Sequence, residues 1–186
     1  GHADIAALEE SFRVIGENIR PDCLVLIETT VPPGTTEYVA YPIIKKAFQQ
    51  RGLTAPAAKA SAGERPADAT PAEPLLAHSF ERVMPGREYV ASIRDFWRVC
   101  SGINAQARQR VKAFLSDILN VDQYPLTVLD RPIESETCKI VENSYRATIL
   151  AFLDEWSRFS ERNGVDLIKV IEAVKIRPTH ANMIFP

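Results

Sequence analysis

The run Cys23–Thr30, CLVLIETT, constrains the fold more than any other stretch of this chain. Its first five residues are apolar without alternation, the pattern of a short strand covered on both faces. Upstream, Ile5, Leu8, Phe12, Ile15 and Ile19 fall at spacings of three, four, three and four, which is one helical face. Pro21-Asp22 breaks that helix. Downstream, Pro32-Pro33-Gly34 makes a turn, and Thr35 or Thr36 can cap a helix with Glu37 in its first turn, running to about Gln50 with Gly52 as its stop. Helix, buried strand, turn, helix predicts an α/β fold with a parallel sheet.

The segment 53–74 is rich in Ala and Pro and almost free of large apolar residues, so a flexible loop is expected there. Short strands are predicted at Leu75–His78, Arg98–Gly102 and Tyr124–Asp130, with a turn at Pro85-Gly86 and a helix over Ala105–Leu119 capped by Asn104. From Ser135 the pattern is helical. Val141, Tyr145, Thr148, Phe152, Glu155 and Phe159 mark a seam at alternating four- and three-residue steps. A helix over Glu136–Asn163 would be about 40 Å long, more than a small domain covers by itself, so a partner chain is expected on part of it. Gly164 stops it, and Val165–Lys175 forms one more short helix. Trp97, Phe152, Trp156 and Phe159 are expected in the core, and the charges between Asp154 and Arg162 on a solvent face.

Composition sets the outer limits. Of the 186 residues 46% are hydrophobic and 25% charged, enough apolar material for a core. The net charge of -2 gives no basic footprint for nucleic acid. No run approaches a membrane span, and no secretory signal is visible. Cys23, Cys100 and Cys138 are widely spaced and odd in number, which argues for reduced thiols in a cytoplasmic setting without a zinc site. His2, His78 and His180 show no metal-ligand spacing. The chain starts inside an amphipathic pattern and stops at Phe185-Pro186, so a piece of a longer protein is expected.

The polar residues that could carry chemistry fall in four places. In ETCKIVENSYRA (Glu136–Ala147), Lys139 and Asn143 stand one helical turn apart on one face, with Arg146 extending the line. An amine and an amide converging on one oxygen suit a developing oxyanion; a solvated stripe is the bland alternative. Cys138 diverges from Lys139 by about 100° around the helix and is read as a structural thiol. The turn ETTVPPGTTE (Glu28–Glu37) follows a buried strand, where open α/β sheets bind ligands. Glu81-Arg82 follows the strand at Leu75–His78, and its carboxylate suits either a general base or a surface ion pair. Arg177-Pro178-Thr179-His180 is a cationic turn suited to a phosphate or a carboxylate, or a solvated loop.

Taken in order, these segments resemble the nucleotide-sugar 6-dehydrogenase family, which oxidises UDP- or GDP-linked sugars to uronic acids. ETTVPPGTTE is similar to the family's Glu-Ser-Thr-Val-x-Pro-Gly-Thr-Thr stretch, HSFERVMPG (His78–Gly86) to its Ser-Pro-Glu-Arg-Val-x-Pro-Gly stretch, and ETCKIVENSYRATILAF (Glu136–Phe152) to its Glu-x-x-Lys-x-x-x-Asn-x-x-Arg-Ala helix. The resemblance implies a partial Rossmann-like parallel sheet over 1–132 and a helical central, dimer-forming domain over 133–186, with a homodimer formed through the long helix 136–163. It implies an NAD-dependent oxidation of the C6 alcohol of a UDP-sugar to a carboxylate through a cysteine thioester. Lys139 and Asn143 would stabilise oxyanions, Glu81 would assist proton transfer and hydrolysis, and Thr30 would hold the water. Glu28, Thr29 and Thr30 would contact the cofactor, and Arg82, Val83 and Arg177 the substrate.

Departures from the family pattern are also evident. The glycine-rich Rossmann fingerprint, the Gly-Gly-x-Cys segment and the UDP-binding C-terminal domain are absent from these 186 residues, so no turnover is expected from them alone. Phe80 stands where the family has proline. Two rivals are a β-hydroxyacid-dehydrogenase-like NAD enzyme, which also uses a Lys-x-x-x-Asn helix, and a non-catalytic dimerisation module.

Overall fold

The computed structural model describes residues 4–54, 72–83 and 86–181. Most of the Ala/Pro-rich segment, 55–71, lies outside the described residues, as does Pro85 of the expected turn. The chain divides into two compact units, Gly1–Lys139 and Ile140–Pro186.

In the first unit the elements run α1 (Ala6–Asn18), β1 (Leu24–Ile27), a wide π-type turn (Thr35–Ala40) continuing into α2 (Tyr41–Gln50), β2 (Leu75–Ser79), α3 (Tyr89–Arg94), β3 (Val99–Gly102), α4 (Ala105–Ile118), β4 (Thr127–Leu129) and the start of α5 (Pro132–Asn163). The strands form one sheet in the order β1-β2-β3-β4. The β1–β2 and β3–β4 pairings are parallel, but β3 runs antiparallel to β2, so the expected parallel sheet is a mixed one.

CLVLI is buried from both sides, as its lack of alternation requires. Val25 and Ile27 join Phe12, Ile44, Phe48 and Leu76 in one cluster with α1 and α2, while Leu24 and Leu26 pack against Cys100, Val111, Leu115 and Leu119 on the α4 side. Asn104 caps α4, its Oδ1 accepting from the Ala107 amide at 2.8 Å. The expected threonine cap of the second helix is not made. Thr35 Oγ1 donates to the Pro32 carbonyl and Thr36 Oγ1 donates to Glu136, so both hydroxyls are committed elsewhere. The ends of the Ala/Pro-rich segment are packed: the Ala72 amide donates to the Leu53 carbonyl at 3.0 Å, and Ala72 and Pro74 are buried.

In the second unit α5 continues from Ile140, Gly164 turns at φ 65°, and α6 (Leu167–Lys175) follows, capped by the Asp166 carboxylate on the Ile168 and Lys169 amides. Leu153, Ser160 and Ile171 are its buried residues. The core assignment of the aromatics is overturned here: Phe152, Trp156 and Phe159 are 48%, 47% and 51% exposed and form an edge-to-face ladder along α5. Within these two helices there is too little apolar surface to cover them. Trp97 in the first unit is likewise 54% exposed.

One close contact lies where α1 crosses α2. A Cβ built on Gly16 would stand 2.8 Å from the Ala47 Cβ and 3.1 Å from the Ile44 Cα, so only glycine allows this approach. We expect Gly16→Val to lower the unfolding free energy by about 1–3 kcal/mol in urea titrations at unchanged m-value, the usual cost of overpacking; wild-type stability would show that the crossing tolerates a wider spacing.

Candidate active site

Parallel pairing sets Ile27 of β1 beside His78 of β2. The residues after both strands therefore emerge at one edge of the sheet, Glu28–Thr30 from β1 and Phe80–Val83 from β2. Because β3 runs the other way, with Cys100 opposite Ser79, Arg98 just before it reaches the same edge. Glu28, Thr29, Thr30, Glu81, Arg82 and Val83 are thus brought together by strand register, at the carboxyl ends where such sheets take their ligands.

The three charged side chains among them each have an identifiable anchor. The Glu81 carboxylate takes the amide hydrogen of Val83 through Oε2 at 2.6 Å, closing the turn after β2. Arg82 donates to the Trp97 carbonyl, and its guanidinium lies 5.0 Å from the centre of the Phe80 ring and 5.8 Å from that of Phe96. Glu28 accepts from Arg98 Nη2 at 2.7 Å; Arg98 is 4% exposed, and its Nε and Nη1 have no acceptor among the described residues. Burial depresses the Arg98 pKa, and the charges of Glu28 and Glu81 oppose that shift. Thr29 and Thr30 are exposed.

Lys139 enters from α5. Its Nζ donates to the Glu81 carbonyl at 3.0 Å and sits 5.6 Å from the centre of the Phe80 ring. The buried Phe80 ring is therefore faced by two cations, Lys139 and Arg82, which a proline at this position would not provide. An ammonium has three hydrogens to donate, so the carbonyl leaves two for another acceptor. Asn143 follows four residues later on α5, in the second unit, and is exposed. Arg177, also in the second unit, is exposed at the start of a 3-10 turn, Pro178–His180.

Two buried polar residues at this edge were not anticipated as site-builders. Glu136 is completely buried: Oε2 accepts from the Gly34 amide at 2.5 Å, and Oε1 accepts from the Thr36 amide at 2.8 Å and the Thr36 hydroxyl at 2.6 Å. Gly34 itself turns at φ 94°, and a Cβ there would meet the Tyr38 ring at 2.8 Å. His78, also fully buried, shares a hydrogen bond at 2.7 Å between Nδ1 and Ser135 Oγ, which in turn meets Ser101 Oγ at 2.7 Å. The Glu136 partners lie about 100 residues upstream, and no local pattern announces them. Among the described residues no three His, Cys, Asp or Glu side chains are grouped to hold a metal ion. No helix among them is long and apolar enough to cross a membrane.

The architecture defines a class: a Rossmann-like α/β unit whose polar residues gather at the carboxyl ends of adjacent parallel strands, joined through a long helix to a helical unit. Within that class, residues 133–186 match the central domain of the UDP-glucose/GDP-mannose dehydrogenase family. UDP-N-acetyl-D-mannosamine dehydrogenase of Pyrococcus horikoshii is 25% identical over 175 residues, covering 94% of this chain and 36% of that protein. The enzyme of the same name from Salmonella typhimurium is 29% identical over 175 residues, covering 94% of this chain and 38% of its own length. The crystal structure of NDP-N-acetyl-D-galactosaminuronic acid dehydrogenase from Methanosarcina mazei superposes with a TM-score of 0.67 at 26% identity, over 92% of this chain and 32% of that one. The chain thus spans little more than a third of the length of the curated relatives it matches.

The histidine gives the site a pH signature. Burial is the main influence on His78 and lowers its pKa, while the Glu136 charge and the Thr29 backbone push the other way. A histidine depressed in the fold binds its proton more readily when unfolded, so stability should fall as pH drops below about 6.5. We expect the loss of unfolding free energy between pH 7.5 and 5.5 to shrink in His78→Asn, measured by urea titration at both pH values; an undiminished loss would assign the acid sensitivity to other groups.

Proposed function

We propose that this chain is part of an NAD-dependent dehydrogenase acting on a UDP-linked sugar, oxidising its C6 alcohol to a carboxylate. The observation that carries this reading is the direction of Lys139: its ammonium is turned onto the loop bearing Glu81 and not out to water. In this reading the two remaining ammonium hydrogens, with the Asn143 amide one helical turn further on, stabilise negative charge that develops on the oxygen at C6. Glu81, kept in place by the Val83 amide, moves the proton, and Thr30, in the turn after β1 at the same sheet edge, holds the water consumed in the second half of the oxidation.

The carboxyl edge of β1 and β2 is open at Thr29 and Thr30 and offers hydroxyls and the Glu28 carboxylate, which fits the nicotinamide end of a dinucleotide. Glu28, Thr29 and Thr30 would hold that cofactor, whose contribution when bound is to accept hydride from the sugar carbon. Arg82, Val83 and Arg177 would contact the nucleotide-sugar. The thiol nucleophile is assigned to a residue outside these 186, since Cys23 stands at the amino end of β1, opposite the edge that carries Glu28, Cys100 is buried with its pKa pushed up to about 11, and Cys138 lies about 100° around the helix from Lys139.

The partner proposed is a second copy of the chain. Val141, Tyr145, Phe152, Trp156 and Phe159 leave an apolar stripe on α5, and a groove of about 410 Å³ runs between α5 and α6 in the second unit. We expect sedimentation velocity to show a dimer for the wild-type chain and a monomer for Phe152→Glu/Trp156→Glu; a wild-type monomer at 100 µM, an order-of-magnitude working concentration (~10⁻⁴ M) for weak pairs, would remove the dimer.

Activity is tested on the product of the whole reading frame. We expect Lys139→Ala and Asn143→Ala each to lower kcat by roughly 10²-fold in NAD reduction with UDP-sugars, the usual loss for one oxyanion donor. Unchanged kcat in both variants would leave the helix a packing element only.

A further inference from the structure

Helix α5 is anchored to the sheet edge at points that fall in order along its first two turns. Before it, Arg131 Nη2 donates to Glu37 at 2.5 Å. Within the first turn, the Ile133 amide donates to Glu37 at 3.3 Å and Ser135 meets His78 and Ser101. Glu136 then takes three hydrogen bonds from Gly34 and Thr36, in the turn that follows β1. Three residues on, Lys139 reaches the Glu81 carbonyl in the turn that follows β2. Positions three apart in a helix lie on one side, about 4.5 Å apart along the axis. One side of α5 therefore grips the turns after both parallel strands, through Glu136 on one and Lys139 on the other.

The two grips differ in strength. Lys139 is half-buried and holds a single carbonyl, on a flexible four-carbon stem. Glu136 is wholly buried and accepts two backbone hydrogens and a hydroxyl, charge-assisted bonds away from water. Of the two, the Glu136 grip is the firmer, and it lies one turn before the lysine on the same side of α5.

We propose that Glu136 is a positioning residue: its carboxylate, clamped onto the Gly34 and Thr36 amides, holds Lys139 against the Glu81 turn. For catalysis this rests on the function proposed above; for the lysine's placement it does not. In Glu136→Gln one of the two oxygens becomes an amide nitrogen, which cannot accept from the hydrogen facing it, so at least one clamp is lost without a change of shape.

The decisive measurement is the rate at which dilute acetic anhydride acetylates Lys139 in the folded 186-residue chain, read by peptide mass spectrometry relative to exposed Lys112. Hydrogen exchange at Gly34 and Thr36 is followed in parallel. We expect Glu136→Gln to raise exchange at one or both amides about 10-fold or more and to raise Lys139 acetylation several-fold. Thr36→Val, which removes the hydroxyl from the other side of the clamp, should move both in the same direction by less, and it decides the matter if Glu136→Gln fails to fold. Faster exchange with wild-type acetylation would overturn the proposal, as would no change in either. In the whole-gene product, kcat should fall roughly 10-fold with KM nearly constant, as expected for a misplaced catalytic group; an unchanged kcat beside a freed lysine would overturn the catalytic part. If the wild-type protein reduces no NAD with any UDP-sugar, the function proposed above fails, while the acetylation result still decides the placement.

Discussion

The carboxylate of Glu136 is the contact on which the sheet edge depends. A charge this deeply buried is tolerated only when its lone pairs are met, and here three donors converge on it from a turn about 100 residues earlier. Removing one partner of such a buried charge ordinarily costs about 3–5 kcal/mol, a large share of a small domain's stability. The arrangement also explains Gly34: the amide can point at Glu136 only if the chain turns through positive φ, and the space a side chain would need is taken by Tyr38.

A second constraint follows from strand direction. With β1 and β2 parallel, both deliver their following loops to the same edge, and an antiparallel β3 brings the residue before it there as well. The edge therefore collects Glu28, Glu81, Arg82 and Arg98 within reach of one another. Arg98 shows the electrostatic consequence: a guanidinium nearly sealed from water, neutralised on one side by Glu28, with the charge of Glu81 also favouring its ionised form. Arg82 is spread over two aromatic rings, a placement suited to a planar, weakly hydrated cation.

Much of this was legible in the sequence because it follows from local rules. The unalternating CLVLI, the three-four spacing of Ile5 to Ile19, the Asn104 cap and the stop at Gly164 each depend on residues a few places apart, and the structure has them where expected. What failed depended on partners far along the chain. Thr35 and Thr36 look like helix caps in isolation, but Thr36 is spent on Glu136 and Thr35 on Pro32. The direction of β3 depends on a connection through α3 (Tyr89–Arg94), for which no signal was read. Phe152, Trp156 and Phe159 were placed in a core by composition, whereas two helices offer too little surface to enclose them. In the site, parallel pairing of β1 and β2 sends the residues after both strands to one edge, while the bond from Lys139 to the Glu81 carbonyl spans 58 residues and no local spacing announces it. Glu136 and the His78–Ser135–Ser101 chain escaped notice because burial is a property of the assembled edge and not of any short motif.

Arg98, His78 and Ser79 are buried with side-chain atoms that have no partner among the described residues; the other polar groups named at this edge divide by what remains unspent. Ser135, Ser101, Thr35, Thr36 and Glu136 are buried and have their hydrogen-bonding capacity used within the protein, so they hold the backbone in place. Thr29 and Thr30 are open to water, Glu28 is half-exposed with one oxygen on Arg98, and Lys139 spends one hydrogen of three. Groups of the first kind cannot bind anything without breaking the fold, and groups of the second kind can bind without disturbing it. That division follows from satisfied and unsatisfied valences alone. It leaves free hydrogen-bonding capacity after β1 and on Lys139, and under the proposal above the buried carboxylate one turn before Lys139 keeps the two aligned.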